Sequence, residues 1–304
     1  MKAARIHGFG PPDVLVVEDV PIPSPGLDEI LVRVMAAGVA PWDAIIREGK
    51  SKVSPQPPLT LGSDLSGVVE KVGPGVTDLA PAQEVYGVTN SQFCGAHAEF
   101  AIATASMVAR KPQSLTHVEA ASAPVIAVTA WQMLFQYAQA MRGQTVMVVG
   151  AAGNVGAYAV QMALDAGIHV VAIHLHDEDI LRSLGVKFIV DSSRPAFEQN
   201  LPQVDSILDT VGGSTVQRCI SALRPGGKLV TSVSTEPRPE GAVFFYAEVT
   251  SARLQTLTDL FDAGRITPRV GSILPLADAR QAQRMLAGAP HKPGKIVLRI
   301  AQGE

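Results

Sequence analysis

The sequence predicts an α/β protein of two domains, one β-rich and one built on a doubly wound parallel sheet. Three observations carry this reading. The chain has 304 residues, about twice the length of a typical domain. Up to about residue 122 it consists of short Val/Leu/Ile-rich runs broken by proline and glycine, whereas beyond that point strand and helix patterns alternate. Within the alternating part, Val146-Met147-Val148-Val149 is uniformly apolar, as a strand buried on both faces must be, and a glycine-rich turn follows it.

The elements follow in order. Strands are predicted at 3–7, 15–18, 30–39, 68–72, 84–88 and 98–103, set apart by punctuation such as Gly10-Pro11-Pro12, Pro21-Ile22-Pro23-Ser24-Pro25-Gly26 and Gly73-Pro74-Gly75. A short helix is predicted at 41–47, with proline in its first turn, where a missing N–H costs nothing. Then come strands at 145–149, 169–173, 188–190, 206–209, 228–232 and 243–246, with helices at 155–166, 180–184, 215–223 and 253–263. Strands followed by helices of about 10 residues imply βαβ units and a parallel sheet. The last segment, with strands at 270–273 and 295–300 around a helix at 277–287, is too short for a domain and is expected to pack back on the first third.

Composition narrows the function. Hydrophobic residues make up 47% and charged residues 17%, which excludes disorder. The formal net charge of −3 is too weak a footprint for nucleic acid or anionic lipid and favours a small-molecule partner. The stretch 146–164 is interrupted by Gly150, Gly153, Asn154, Gly156 and Gln161, so it reads as a turn between two elements rather than a membrane span. The N-terminal residues Met1-Lys2-Ala3-Ala4-Arg5 lack the apolar core of a secretory signal, and the two cysteines, Cys94 and Cys219, suit reduced thiols; a cytoplasmic location is expected.

Gly150-Ala151-Ala152-Gly153-Asn154-Val155-Gly156 stands between a predicted strand and a predicted helix, the context of a dinucleotide fingerprint. Glycine at 153 lets the backbone approach a pyrophosphate, and Gly156 lets the helix pack tightly on the strand. The free N–H groups of the helix N-terminus face the phosphate charge. The standard first glycine would fall at Ala151. At the end of the second strand, His174 and His176 stand where NAD-binding chains carry an acid. Protonated histidine would attract a 2′-phosphate, which favours NADPH over NADH; the plainer reading of the two histidines is a solvated strand end, with no arginine or lysine between them and Arg182.

Other motifs extend the pattern. Asp209-Thr210-Val211-Gly212-Gly213, Leu223-Arg224-Pro225-Gly226-Gly227-Lys228 and Gly294-Lys295-Ile296-Val297-Leu298 follow the glycine turn. Gly38-Val39-Ala40-Pro41-Trp42-Asp43, Leu61-Gly62-Ser63-Asp64-Leu65-Ser66-Gly67 and Val85-Tyr86-Gly87 precede it. In this order the motifs resemble the medium-chain dehydrogenase/reductase superfamily, and most closely its zinc-free quinone oxidoreductase branch. The resemblance implies a GroES-like catalytic domain from both chain ends (1–122 and 265–304), a Rossmann-type cofactor-binding domain inserted at 123–264, the cofactor in the cleft between them, and a homodimer.

The resemblance also implies roles. Gly150, Ala152, Gly153, Asn154, Val155 and Gly156 would surround the pyrophosphate, with His174 and His176 near the adenosine ribose. Thr129 would stand beside the nicotinamide half; it reads equally as a helix-interior threonine bonded to backbone. Val211, Gly212, Ser232 and Val233 would lie at strand carboxyl ends, and Phe244, Phe245 and Tyr246 would pass the nicotinamide or form an ordinary apolar strand. Trp42, Asp43 and Asp64 would line the substrate pocket, and Asp43 is the one candidate for a catalytic role, its plainer readings being a helix cap or a partner for Arg47. His97 is a weaker candidate.

Where zinc-dependent members carry a cysteine and a His-Glu pair, this chain has Ala40-Pro41-Trp42 and Ser63-Asp64, and the four-cysteine cluster is absent. No metal site is expected, and hydride transfer from NADPH to a quinone or an α,β-unsaturated carbonyl is favoured over alcohol oxidation. The alternative is a non-catalytic NADPH-binding sensor or interaction protein.

Overall fold

The strand Thr145–Val149, with its uniformly apolar run Val146-Met147-Val148-Val149, lies third in a six-stranded parallel sheet, flanked on both sides, and this position explains its composition. The computed structural model describes residues 1–234 and 238–301. The strand order is Phe188–Asp191, His169–His174, Thr145–Val149, Val204–Asp209, Leu223–Thr231, Val243–Phe244, with every neighbouring pair parallel. This is the doubly wound order, and it reverses direction between Thr145–Val149 and Val204–Asp209. One face of the sheet buries Met147, Val149, Val171, Ile173, Ile207 and Leu229 against Val216 and Cys219.

The other unit is β-rich. Its long strand Glu29–Val39 pairs antiparallel with Asp64–Val72 and Phe100–Thr104, and along its last residues with the closing strand Lys295–Arg299. Ile296 faces Val39 and Val297 faces Gly38, so both ends of the chain build one sheet. A second, three-stranded sheet orders Leu15–Asp19, Lys2–Ile6 and Leu59–Thr60. The fold is thus α/β, a GroES-like β-rich unit plus a Rossmann-type one.

The division of the chain differs from the boundaries 1–122, 265–304 and 123–264. One unit comprises Met1–Val125, Val249–Gly264 and Pro268–Glu304; the other comprises Ile126–Glu248 and Arg265–Thr267. The helix Ser251–Asp262 accounts for most of the change, because its apolar face packs on the β-rich unit. Tyr86 Oη donates to Leu254 O at 2.7 Å, Ser251 Oγ donates to Val108 O at 2.6 Å, and Leu254, Leu257 and Phe261 are buried.

Two local expectations also change. The strand at 243–246 is confined to Val243–Phe244, since Phe245 turns inward to stack on Tyr137 at 4.4 Å. The helix at 215–223 ends earlier, as Gly213–Cys219 with one tighter turn, because Leu223 already pairs with Val204. Residues 124–137 form a helix, Pro124–Trp131, that widens into a π-helical stretch, Gln132–Tyr137. Among the described residues no helix is long and apolar enough to cross a membrane.

Candidate active site

The glycine turn is shaped by backbone. Gly150 adopts φ +84°, open to glycine and strained for a side chain. Its N–H and that of Ala151 both donate to Ile173 O, tying the turn to the second strand. A Cβ on Gly156 would fall 2.2 Å from Gly150 O and 2.8 Å from Ala151 Cα, so only glycine lets the helix Asn154–Asp165 start this close to the strand. A Cβ on Gly153 would meet only Gly150 O, at 3.1 Å. Gly153 and Asn154 are exposed, Ala152 and Val155 half-buried, and no side chain caps the helix. The first-turn N–H groups are therefore open to an anion at the positive end of the helix.

Beside this turn the carboxyl ends of the central strands are tied together by Asp209, a residue sequence reasoning did not single out. Its Oδ1 accepts from the N–H groups of Val211 at 3.0 Å and Gly212 at 2.8 Å, and its Oδ2 accepts from Thr231 Oγ1 at 2.7 Å. Thr231 Oγ1 in turn accepts from Val233 N–H, and Ser232 N–H donates to Asp209 O. Buried Asp209 thus positions Val211 and Gly212 through its carboxylate, Val233 through Thr231 and Ser232 through its main-chain carbonyl. The signal for it was an acid that follows the apolar pair Ile207-Leu208 at the end of the strand Val204–Asp209.

The two histidines part company. His176 is exposed, but His174 is buried, with both ring nitrogens shielded from solvent, no hydrogen bond, and Glu178 Oε2 3.7 Å away. His174 therefore backs the strand end, and only His176 presents an imidazole there. Thr129 is buried in the helix Pro124–Trp131. Gln132 Oε1 accepts from Glu248 N–H at 3.0 Å, which fixes the segment after the last strand. There Tyr246 is 77% exposed and lies edge-on to Phe244 at 5.0 Å, while Phe245 is buried.

In the β-rich unit a buried polar cluster gathers Asp43, Asp64, His97 and Lys295. Asp43 Oδ2 accepts from Ala40 N–H at 2.8 Å, so the aspartate reaches back to the start of its own helix, Pro41–Arg47, and does not pair with Arg47, whose guanidinium turns to Gly10 O, Gln283 and Glu48. Burial pushes the Asp43 carboxyl up to about 7, against the lowering pull of the Ala40 amide and the Lys295 charge. His97 Nε2 donates to Gly38 O at 3.1 Å and its ring packs on Gly62, where a Cβ would fall 2.2 Å away. Burial also holds His97 down at about 4, so it is neutral at physiological pH. Lys295 Nζ donates to Asp64 Oδ2 at 3.0 Å and lies 4.7 Å from the centre of the Trp42 ring. Trp42 Nε1 donates to Ser63 Oγ at 2.9 Å, and the half-buried Trp42 ring meets Phe93 edge-on at 6.5 Å. Asp43 and Asp64 are thus wholly buried supports, and of the three residues expected to line a substrate pocket only Trp42 offers surface. Lys295 was legible only as part of a terminal motif.

Two family models match the chain. One, described as alcohol dehydrogenase GroES-like domain, covers residues 26–113, and one described as zinc-binding dehydrogenase covers residues 184–298. An NADPH-dependent alkenal/one oxidoreductase, chloroplastic, from Arabidopsis thaliana is 30% identical over 313 residues, covering 98% of this chain and 79% of that protein. The solved quinone oxidoreductase from Coxiella burnetii superposes with a TM-score of 0.90 at 27% identity, over 99% of each chain. A thermostable alcohol dehydrogenase from Pyrobaculum aerophilum, solved with cobalt and zinc, superposes with a TM-score of 0.86 at 31% identity, over 98% of this chain and 99% of that one.

The side chains of the buried cluster do not suit a metal ion. The Lys295 ammonium already stands against Asp64 and would repel a second cation. Asp64 Oδ1 accepts from Val125 N–H at 3.3 Å, Ser63 Oγ is engaged by Trp42, and the ring nitrogen of His97 nearest Asp43 is committed to Gly38 O. Among the described residues no group of three or more His, Cys, Asp or Glu side chains is placed to hold an ion. With two domain models in order, relatives matched over nearly the whole chain, and the same two-unit fold, the chain belongs to the medium-chain dehydrogenase/reductase superfamily, where it groups with the quinone oxidoreductases.

Proposed function

We propose that the protein is a zinc-independent, NADPH-dependent reductase that passes hydride to a quinone or to the β-carbon of an α,β-unsaturated carbonyl, working in the cytoplasm as a homodimer. The observation that carries the reading is the glycine cradle, where the missing Cβ of Gly156 sets the helix against the strand, the Gly153 N–H closes the turn on Gly150 O, and the uncapped first-turn N–H groups from Asn154 onward face a pyrophosphate. The Arabidopsis relative, an NADPH-dependent alkenal/one oxidoreductase, supports the choice of cofactor and acceptor.

In this reading NADPH supplies the hydride, and the chain supplies binding and order. Gly150, Ala152, Gly153, Asn154, Val155 and Gly156 hold the pyrophosphate. His176 takes the ribose 2′-phosphate, with His174 behind it supporting the strand end. Val211, Gly212, Ser232 and Val233, held by Asp209, form the rim at the strand ends. Thr129 and the Phe244-Phe245-Tyr246 segment keep the nicotinamide side dry, with Phe245 fixed by its stack on Tyr137. Trp42 gives an apolar substrate a flat wall. Asp43 keeps a proton close to neutral pH beneath that wall.

The test is to mix purified protein with NADPH and a panel of quinones and enones while following cofactor oxidation, and to compare dissociation constants for NADPH and NADH. Turnover with at least one panel member and tighter NADPH binding are expected. Tight NADPH binding without turnover across the panel would favour the sensor instead.

A further inference from the structure

We propose that Lys295 is the fixed cation of the buried cluster and a positioning residue for the reaction: its ammonium holds Trp42 and Asp64 in place and supplies the positive charge among the buried acids, the part a bound metal ion would play in such a site. The proposal rests on the reductase reading only for its kinetic readout.

The geometry is specific. Lys295 is 2% exposed and opens the closing strand, 231 residues from Asp64. Its aliphatic stem needs the bare backbone of Gly38, where a Cβ would fall 3.0 Å from Lys295 Cε, 3.0 Å from Asp64 Cβ and 2.7 Å from Ala121 O. The ammonium is gripped from two directions, by the Asp64 carboxylate and by the Trp42 ring face. A lysine this deeply buried is retained only when its charge is matched.

The charges facing the site come from every element around it. They are Asp43 on the helix Pro41–Arg47, Asp64 at the start of Asp64–Val72, Lys295 on the closing strand, neutral His97 from the segment beside Ala98, and the thiol of Cys94, which burial and Asp43 hold up. With Asp43 protonated the formal charge of the cluster is zero. With Asp43 ionised the cluster has two carboxylates and one cation. Without Lys295 two buried acids would face each other with no cation, and at most one could ionise. Asp43 Oδ1 and His97 Nδ1 have no hydrogen-bond partner and the donor to Asp43 Oδ2 is the neutral Ala40 amide, so the compensating charge in the cluster comes from Lys295.

The experiment follows aspartate side-chain carboxyls by carbon NMR from about pH 5 to about pH 9, so that the group titrating near 7 is bracketed. The wild-type protein should show one buried carboxyl titrating near 7, absent in D43N. In K295M that carboxyl should hold its proton about one pH unit further up, a tenfold change in proton affinity. K295R, which keeps the charge, should remain near wild type. If K295M does not fold, D64N is compared with K295M/D64N, and the second should titrate higher. The pH limb of kcat/KM should move with the resonance, and added zinc should leave the wild-type spectrum unchanged. Coincident titrations in the presence and absence of Lys295, K295R behaving like K295M, or a stoichiometric zinc-induced shift of the Asp43 or Asp64 resonance would overturn the proposal. An enzyme without turnover would remove the reductase reading and leave the NMR result standing.

Discussion

Gly153 and Gly156 stand in one turn yet tolerate a side chain very differently. A Cβ at 156 would enter backbone atoms that cannot move aside, so Gly156→Val should cost about 3 kcal/mol in chemical denaturation. A Cβ at 153 meets a single carbonyl oxygen, so Gly153→Val should fold nearly as well but lose at least about tenfold in NADPH affinity, about 1.4 kcal/mol, by isothermal titration calorimetry. Unchanged affinity would show that the turn does not cradle a phosphate. Asp43 and His97 make opposite contributions to stability against pH. Asp43, raised to about 7, keeps its proton in the folded chain while the unfolded chain loses it above about pH 4, so its contribution falls as pH rises through that window. His97, lowered to about 4, stays neutral in the folded chain while the unfolded chain takes up a proton below about pH 6.5, so its contribution falls as pH drops. Between about pH 4 and 7 the two largely offset. D43N should therefore make stability rise with pH, and H97N should make it fall, each with a slope up to about 1.4 kcal/mol per pH unit in urea titrations at several pH values. A glycine turn is legible in sequence because its geometry is set by neighbouring residues. The buried state of His174 was not, because the exposure of a strand-end side chain depends on what packs above it.

Among the elements, strand ends matter more than strands. Asp209 ties together two parallel strands and the residues that follow each, and Asp209→Ala would leave the N–H groups of Val211 and Gly212 and the Thr231 hydroxyl without their acceptor. A loss of about 3 kcal/mol by urea denaturation is expected, with weakened nucleotide binding. One helix that escaped the sequence reading did so for a physical reason. Pro124–Trp131 is apolar around its whole circumference, so it shows no stripe with a period of 3.6 residues, and its Val, Ile and Thr residues read as strand as readily as helix. The amphipathic helix Ser251–Asp262 was legible as a helix, but its pattern says only that one face is buried and not which unit buries it.

In the whole molecule, the two units draw on the chain differently. The parallel sheet is complete within Ile126–Glu248, with its own core, so residues 126–248 expressed alone should unfold cooperatively by circular dichroism and bind NADPH. The β-rich unit needs the closing strand, whose Val297 and Leu298 are fully buried against Glu29–Val39 and its neighbours. A fragment of residues 1–125 should therefore show no cooperative melt by the same measurement. By itself the sequence determined the succession of strands and helices, the two-part α/β architecture and the place of the glycine turn. Those features follow from side-chain periodicity, turn chemistry and steric demands within a few residues. Only the tertiary structure decided that Lys295 reaches Asp64 and Trp42, that His97 lies on Gly62, that Asp209 joins the strand ends, and that Ser251–Asp262 serves the β-rich unit. These are pairings between residues far apart in the chain, set by packing and by the need to match buried charge, and no local pattern records them.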